Sequence, residues 1–67
     1  MKGAIKDAIN EIIQEADECK ENANSDFEQG RLLGLAEAIT IFQDCFAGDP
    51  EIGELIPFDV DRRYLIK

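Results

Sequence analysis

Histidine and tryptophan are missing from this sequence, tyrosine and methionine occur once each, and seven basic residues stand against fifteen acids. Without an imidazole the usual general base near neutral pH and the commonest transition-metal ligand are gone, along with most schemes that activate a nucleophile. The lone serine, Ser25, reads as a helix cap, and neither Cys19 nor Cys45 has a candidate basic neighbour at an expected active site. A phosphate-cradling loop is missing as well: Gly30-Arg31-Leu32-Leu33-Gly34 falls inside a helical pattern and lacks the Lys-Ser/Thr that would complete it. The expectation is a protein with no catalytic residues, no cofactor and no metal, and therefore not an enzyme.

The chain also has no apolar run long enough to span a bilayer, and its start, Met1-Lys2-Gly3-Ala4-Ile5-Lys6-Asp7, turns charged too early for a secretory signal. A cytoplasmic location is expected. The two cysteines fall in separate helical patterns, without redox or zinc spacing. In a hairpin turning near Asn24, Cys19 lies opposite about Gly30, some ~22 Å along the axis from Cys45, so both are read as buried free thiols.

The formal charge is −8, and all fifteen acids lie between Asp7 and Asp61, where the only bases are Lys20 and Arg31. Such a field repels nucleic-acid phosphates and anionic lipid, which argues against direct binding to nucleic acid or membrane. A basic surface on another protein is the partner that charge would favour. The plainer role of the acids is to solvate a small protein and keep it from aggregating.

With 67 residues the chain is read as a single domain, 1–67, whose entropy cost of roughly 1.5 kcal/mol per ordered residue leaves little net stability without help from a partner. Ile5, Ile9, Ile12, Ala16, Cys19 and Ala23 recur at alternating steps of four and three, with Ala8 and Ile13 beside them, which predicts an amphipathic helix over about 2–22. The polar stretch 21–26 is the turn, and Ser25 followed by Glu28 is a capping box opening a second helix at about 26–47.

That second helix is the more apolar. Leu32, Leu35, Ile39, Phe42 and Phe46 form one stripe, and Phe27, Ala38, Ile41 and Cys45 form another beside it. One partner helix cannot cover both, so the surplus must meet the C-terminal tail, a second copy or another protein. Gly30, Gly34 and Ala38, four apart, remove bulk along one edge and would let a helix backbone come close. Each glycine costs about 1 kcal/mol against alanine in a helix interior, which calls for a compensating contact. The expected interaction face is Gly30, Leu32, Gly34, Leu35, Ala38, Ile39, Phe42 and Phe46.

Gly48 reads as the stop, and Asp49-Pro50 as a fresh cap and first helical position of a short turn of helix over about 50–55. The remainder, 56–67, is too apolar for a solvated linker, so Phe58, Val60, Tyr64 and Leu65 are expected to dock on the hairpin. Arg31 is placed opposite Glu18, within reach of Glu15 and Glu21, and Arg62 and Arg63 are expected to pair internally or with a second subunit.

Glu11, Glu15, Glu18 and Glu21 run along one helix as magnesium-binding carboxylates can. Metal-dependent helical nucleotide pyrophosphohydrolases place acidic pairs on two helices, whereas past its first turn the second helix here offers only Glu37 and Asp44, seven apart. The acids are read as a solvated face, and a carboxylate-metal enzyme is the least favoured class.

The run Asp26-Phe27-Glu28-Gln29-Gly30-Arg31-Leu32, continued by Glu37-Ala38-Ile39, resembles small acidic helical-hairpin proteins of phages and integrative elements of Gram-positive bacteria. The resemblance spans about twenty residues of the second helix. It departs at Gly34-Leu35-Ala36, where members often carry aromatic residues. It implies a helical hairpin and a mobile-element origin, and no activity. The sequence as a whole reads as an all-α antiparallel hairpin with a short C-terminal appendage, a non-enzymatic interaction module that pairs with itself, as dimer or tetramer, into a four-helix arrangement. The alternative is an acidic inhibitor or regulator occupying a basic surface on another protein.

Overall fold

The two residues that the sequence marks as caps, Ser25 and Asp49, both open helices in the computed structural model of the chain, which describes residues 2–66. The described residues form α1 (Lys2–Glu21), α2 (Asp26–Cys45), α3 (Pro50–Gly53) and α4 (Val60–Tyr64), with no strand among them. α1 and α2 pack as an antiparallel hairpin, and α4 lies against both. No described helix is long and apolar enough to cross a membrane.

Local chemistry sets the boundaries. α1 ends where Asn22 donates its side-chain amide to the Glu18 carbonyl (2.9 Å) and its backbone N–H to that of Cys19 (3.1 Å), serving two of the carbonyls a helix C-terminus leaves open. Across the linker, Ser25 Oγ accepts from the Glu28 N–H at 3.2 Å. The Glu28 carboxylate turns back to the Ser25 hydroxyl at 3.5 Å, so the reciprocal half of the capping box is made to the side chain.

α2 stops at Cys45, two residues before the expected end, where Phe46 leaves helical geometry at φ −112°. Gly48 does not end it by a left-handed turn, since no described glycine has a positive φ. Instead the Asp49 N–H closes on the Phe46 carbonyl (2.9 Å), and the Asp49 carboxylate then accepts from the N–H groups of Glu51 and Ile52 to start α3. The segment 56–67, read from sequence as a tail, contains α4. Its cap is Asp59, whose carboxylate accepts from the Arg62 N–H at 3.2 Å.

The core draws on every element. Ile9, Ala16 and Cys19 of α1 meet Leu32, Ala36 and Ile39 of α2, while Ile52, Ile56, Val60 and Tyr64 close the far side, each at most 7% exposed. Four of these ten come from beyond residue 50, so the short C-terminal appendage to the hairpin supplies a wall of the core. Ile5, Ile12, Ile13, Leu35, Phe42, Phe46, Leu55 and Phe58 pack around it half-buried. Leu65, expected to dock, stays exposed beside Ile66. Of the two thiols, Cys19 is buried and donates to the Glu28 carbonyl at 3.4 Å, whereas Cys45 is exposed, because its position on α2 faces away from α1.

One side chain joins α2 to the C-terminal third by polar contacts. The Gln43 amide nitrogen donates to the carbonyl oxygens of both Ile56 and Phe58, each at 3.2 Å, and so serves two backbone acceptors in a segment between helices. Replacing Gln43 by alanine is expected to cost about 1–2 kcal/mol in urea unfolding at neutral pH. Gln43→Glu should cost more than Gln43→Ala, since an ionised carboxylate has no proton to give and would face two carbonyl oxygens. Equal stability of the two variants would show that the contact carries no such weight.

Candidate interaction site

α2 is apolar on two sides, and the structure spends only one of them. Leu32, Ala36 and Ile39 are buried against α1 and the C-terminal third, with Leu35, Phe42 and Phe46 half-buried beside them and the Phe42 and Phe46 rings stacked at 6.3 Å. The opposite side carries Phe27, Gly30, Gly34, Ala38, Ile41 and Cys45, at steps of three, four, four, three and four, which keeps them on one helical stripe. Phe27 is 80% exposed and Ile41 61% exposed. No charged residue interrupts the stripe, which is flanked by Arg31 on one side and by Glu37 and Asp44 on the other.

The face expected from sequence therefore divides. Leu32 and Ile39 belong to the core, and Leu35, Phe42 and Phe46 pack against it. Gly30 and Gly34 are exposed on the outer stripe with Ala38 half-buried beside them. A Cβ placed on either glycine would meet nothing within 4 Å, so no close contact inside the chain offsets what these glycines cost the helix. Phe27, Ile41 and Cys45 are the outer residues the expected face omits. Their signal was the second apolar stripe, which a one-sided helix would not carry.

At its N-terminal end the stripe runs into an open groove of about 620 Å³ lined by Ala23, Gly30, Leu32, Leu33, Leu65 and Ile66 among others. Leu33, Leu65 and Ile66 are exposed there, so apolar surface continues from Gly30 around the end of the hairpin. Arg31 reaches Glu15 at 3.9 Å between two half-exposed side chains, a contact of the weak surface kind.

The densest polar cluster lies on the other side of α1. Tyr64 donates its hydroxyl to Asp17 Oδ1 at 2.8 Å, and the Arg63 guanidinium bonds both Asp17 oxygens at 3.2 to 3.3 Å and donates from Nε to the Tyr64 oxygen at 3.0 Å. Arg63 also sits 4.5 Å above the Phe58 ring, and Tyr64 meets Phe58 edge-on at 6.1 Å. Partial burial alone would raise the Asp17 carboxyl, but the hydrogen bonds from Arg63 and Tyr64, with the charges of Arg63 and Lys20, outweigh it and hold Asp17 below the usual carboxylate range. Burial, and the bond to Asp17, push the Tyr64 phenol up. Bonds to Asp17 and then Tyr64 raise Arg63. These groups satisfy one another and tether α4 to α1.

Among the described residues, no three thiol or carboxylate side chains converge as a metal ion would require. Nor does a known protein supply a function by likeness: no family model, curated protein or solved structure matches the chain.

The Asp17 cluster gives a pH dependence. Because the folded state holds the carboxyl below its ordinary pKa, the unfolded chain takes up the proton first, so the stabilisation is complete above the ordinary range near about 4 and is lost as pH falls below it. Wild type should exceed Asp17→Asn in urea midpoint at pH 7, and the gap should close on going to pH 3. A gap that stays constant or widens in acid would contradict the assignment.

Proposed function

We propose that this chain is a non-enzymatic protein-interaction module that pairs with a second copy of itself through the outer stripe of α2, two hairpins giving a four-helix arrangement. The observation that carries the reading is the exposure of Phe27 and Ile41 on a charge-free stripe of a helix whose other face is already buried. Removing apolar surface from water is worth roughly 25 cal/mol per Å², and a chain of this size has little other reserve of stability to draw on. The glycines give the same face room for another helix backbone.

Charge makes the proposal distinguishable from its rival. Each copy carries −8, so self-association works against mutual repulsion, and added salt, which screens that repulsion, should strengthen it modestly. An acidic surface docked on a basic partner would instead weaken steeply with salt.

The test is the solution mass by light scattering across micromolar to millimolar protein, at low and high salt. Wild type should approach twice the monomer mass with increasing concentration, more readily at high salt. Ile41→Glu should remain monomeric with unchanged helical circular dichroism, because the substituted residue touches solvent and not the core. A wild type monomeric throughout, or an Ile41→Glu mass equal to that of wild type, would remove the proposal.

A further inference from the structure

Resting on that reading, we infer that the two copies meet antiparallel, with the two-fold axis passing beside Gly34. The sizes along the stripe are the same read in either direction from this residue. Four positions away stand Gly30 on one side and Ala38 on the other, both small, and seven positions away stand Phe27 and Ile41, both large. Positions four and seven apart lie on one helical face, so all five residues lie along the same contact.

An isologous two-fold contact requires that if residue i meets residue j, then j meets i. With the axis at Gly34, Phe27 of each copy lies on Ile41 of the other, Gly30 lies on Ala38, and Gly34 lies on its own copy. Both ends of the contact are then spaced by the same phenylalanine–isoleucine pair, and the helix axes stay equidistant about a centre where nothing protrudes. A parallel pairing would hold one end apart with two phenylalanines and the other with two isoleucines. It would also align the two helix dipoles head to head, which antiparallel packing avoids.

The register uses nearly all of α2. Reflecting Asp26–Cys45 about Gly34 leaves only the last turn outside the overlap. From Phe27 to Ile41 the stripe runs about 21 Å along a helix roughly 10 Å wide, so two such faces cover roughly 400 Å² in total, below the size of stable specific interfaces. That area suits a reversible pair of small chains. The open space around Gly30 and Gly34 is what such a pair would occupy.

Single cysteines test the register in the full chain, on a Cys45→Ser background that removes the exposed native thiol and leaves the buried Cys19 in place. A disulfide needs Cα atoms within about 7 Å. Under mild oxidation Gly34→Cys should therefore convert to a species of doubled mass on a non-reducing gel. Gly30→Cys alone should stay at monomer mass, its two copies lying about 12 Å apart along the axis, whereas an equal mixture of Gly30→Cys and Ala38→Cys should give the doubled mass. Light scattering of the reduced proteins separates the two levels of the argument. If they dimerise but Gly30→Cys links to itself, or Gly34→Cys does not, the antiparallel register is wrong and self-association stands. If the reduced proteins and wild type are monomeric, the underlying reading fails and the register with it.

Discussion

A helix packed against a single partner can hide only one side of itself, and α2 carries apolar side chains on two. Most of the architecture follows from that excess. α1 covers Leu32, Ala36 and Ile39 with a narrow stripe of its own, Ile9, Ala16 and Cys19, and is too narrow to do more. The chain then doubles back after Gly48 so that Ile52, Ile56, Val60 and Tyr64 close the inner side. What is left, the stripe from Phe27 to Cys45, has no cover within the described residues.

Polar contacts decide how the C-terminal third is held once burial has drawn it in. Apolar surface is non-directional, and two short helices of four and five residues have little independent stability. Direction comes from Gln43, which fixes the carbonyls of Ile56 and Phe58, and from Asp17, which gathers Arg63 and Tyr64. Arg63 completes the tether by lying over Phe58. The two anchors grip the segment from α2 and α1 respectively. This leaves Leu65 and Ile66 beyond α4, at the mouth of the groove beside Leu33.

Much of this was legible in the sequence because it is written in short-range chemistry. The hairpin followed from the periodicity of Ile5 through Cys19 and from Ser25 with Glu28. Register placed Arg31 opposite Glu18 with Glu15 in reach, and it is Glu15 that it meets, while Arg63, left open between an internal partner and a second subunit, pairs with Asp17. α4 was missed because five residues give too little periodicity, although Asp59 ahead of Val60 is the same cap signal as Asp49 ahead of Pro50. Ala36 was passed over because its small side chain adds little to an apolar pattern, yet it is 1% exposed in the core. The expected contact face mixed both sides of α2, since a pattern shows that a helix is apolar on two sides without showing which side the rest of the chain will take. Tertiary packing made that choice, placing Leu32 and Ile39 inside and leaving Phe27, Ile41 and Cys45 outside.

The central claim is that the outer stripe of α2 is the surface at which two copies meet. Residue-resolved amide spectra of the wild-type protein, recorded over a dilution series, test it without altering the chain. The account predicts concentration-dependent shifts at Phe27, Gly30, Gly34, Ala38 and Ile41, with Ile9, Ile52 and Val60 constant. Spectra unchanged by dilution while the mass stays monomeric, or shifts confined to the acidic face of α1, would contradict it.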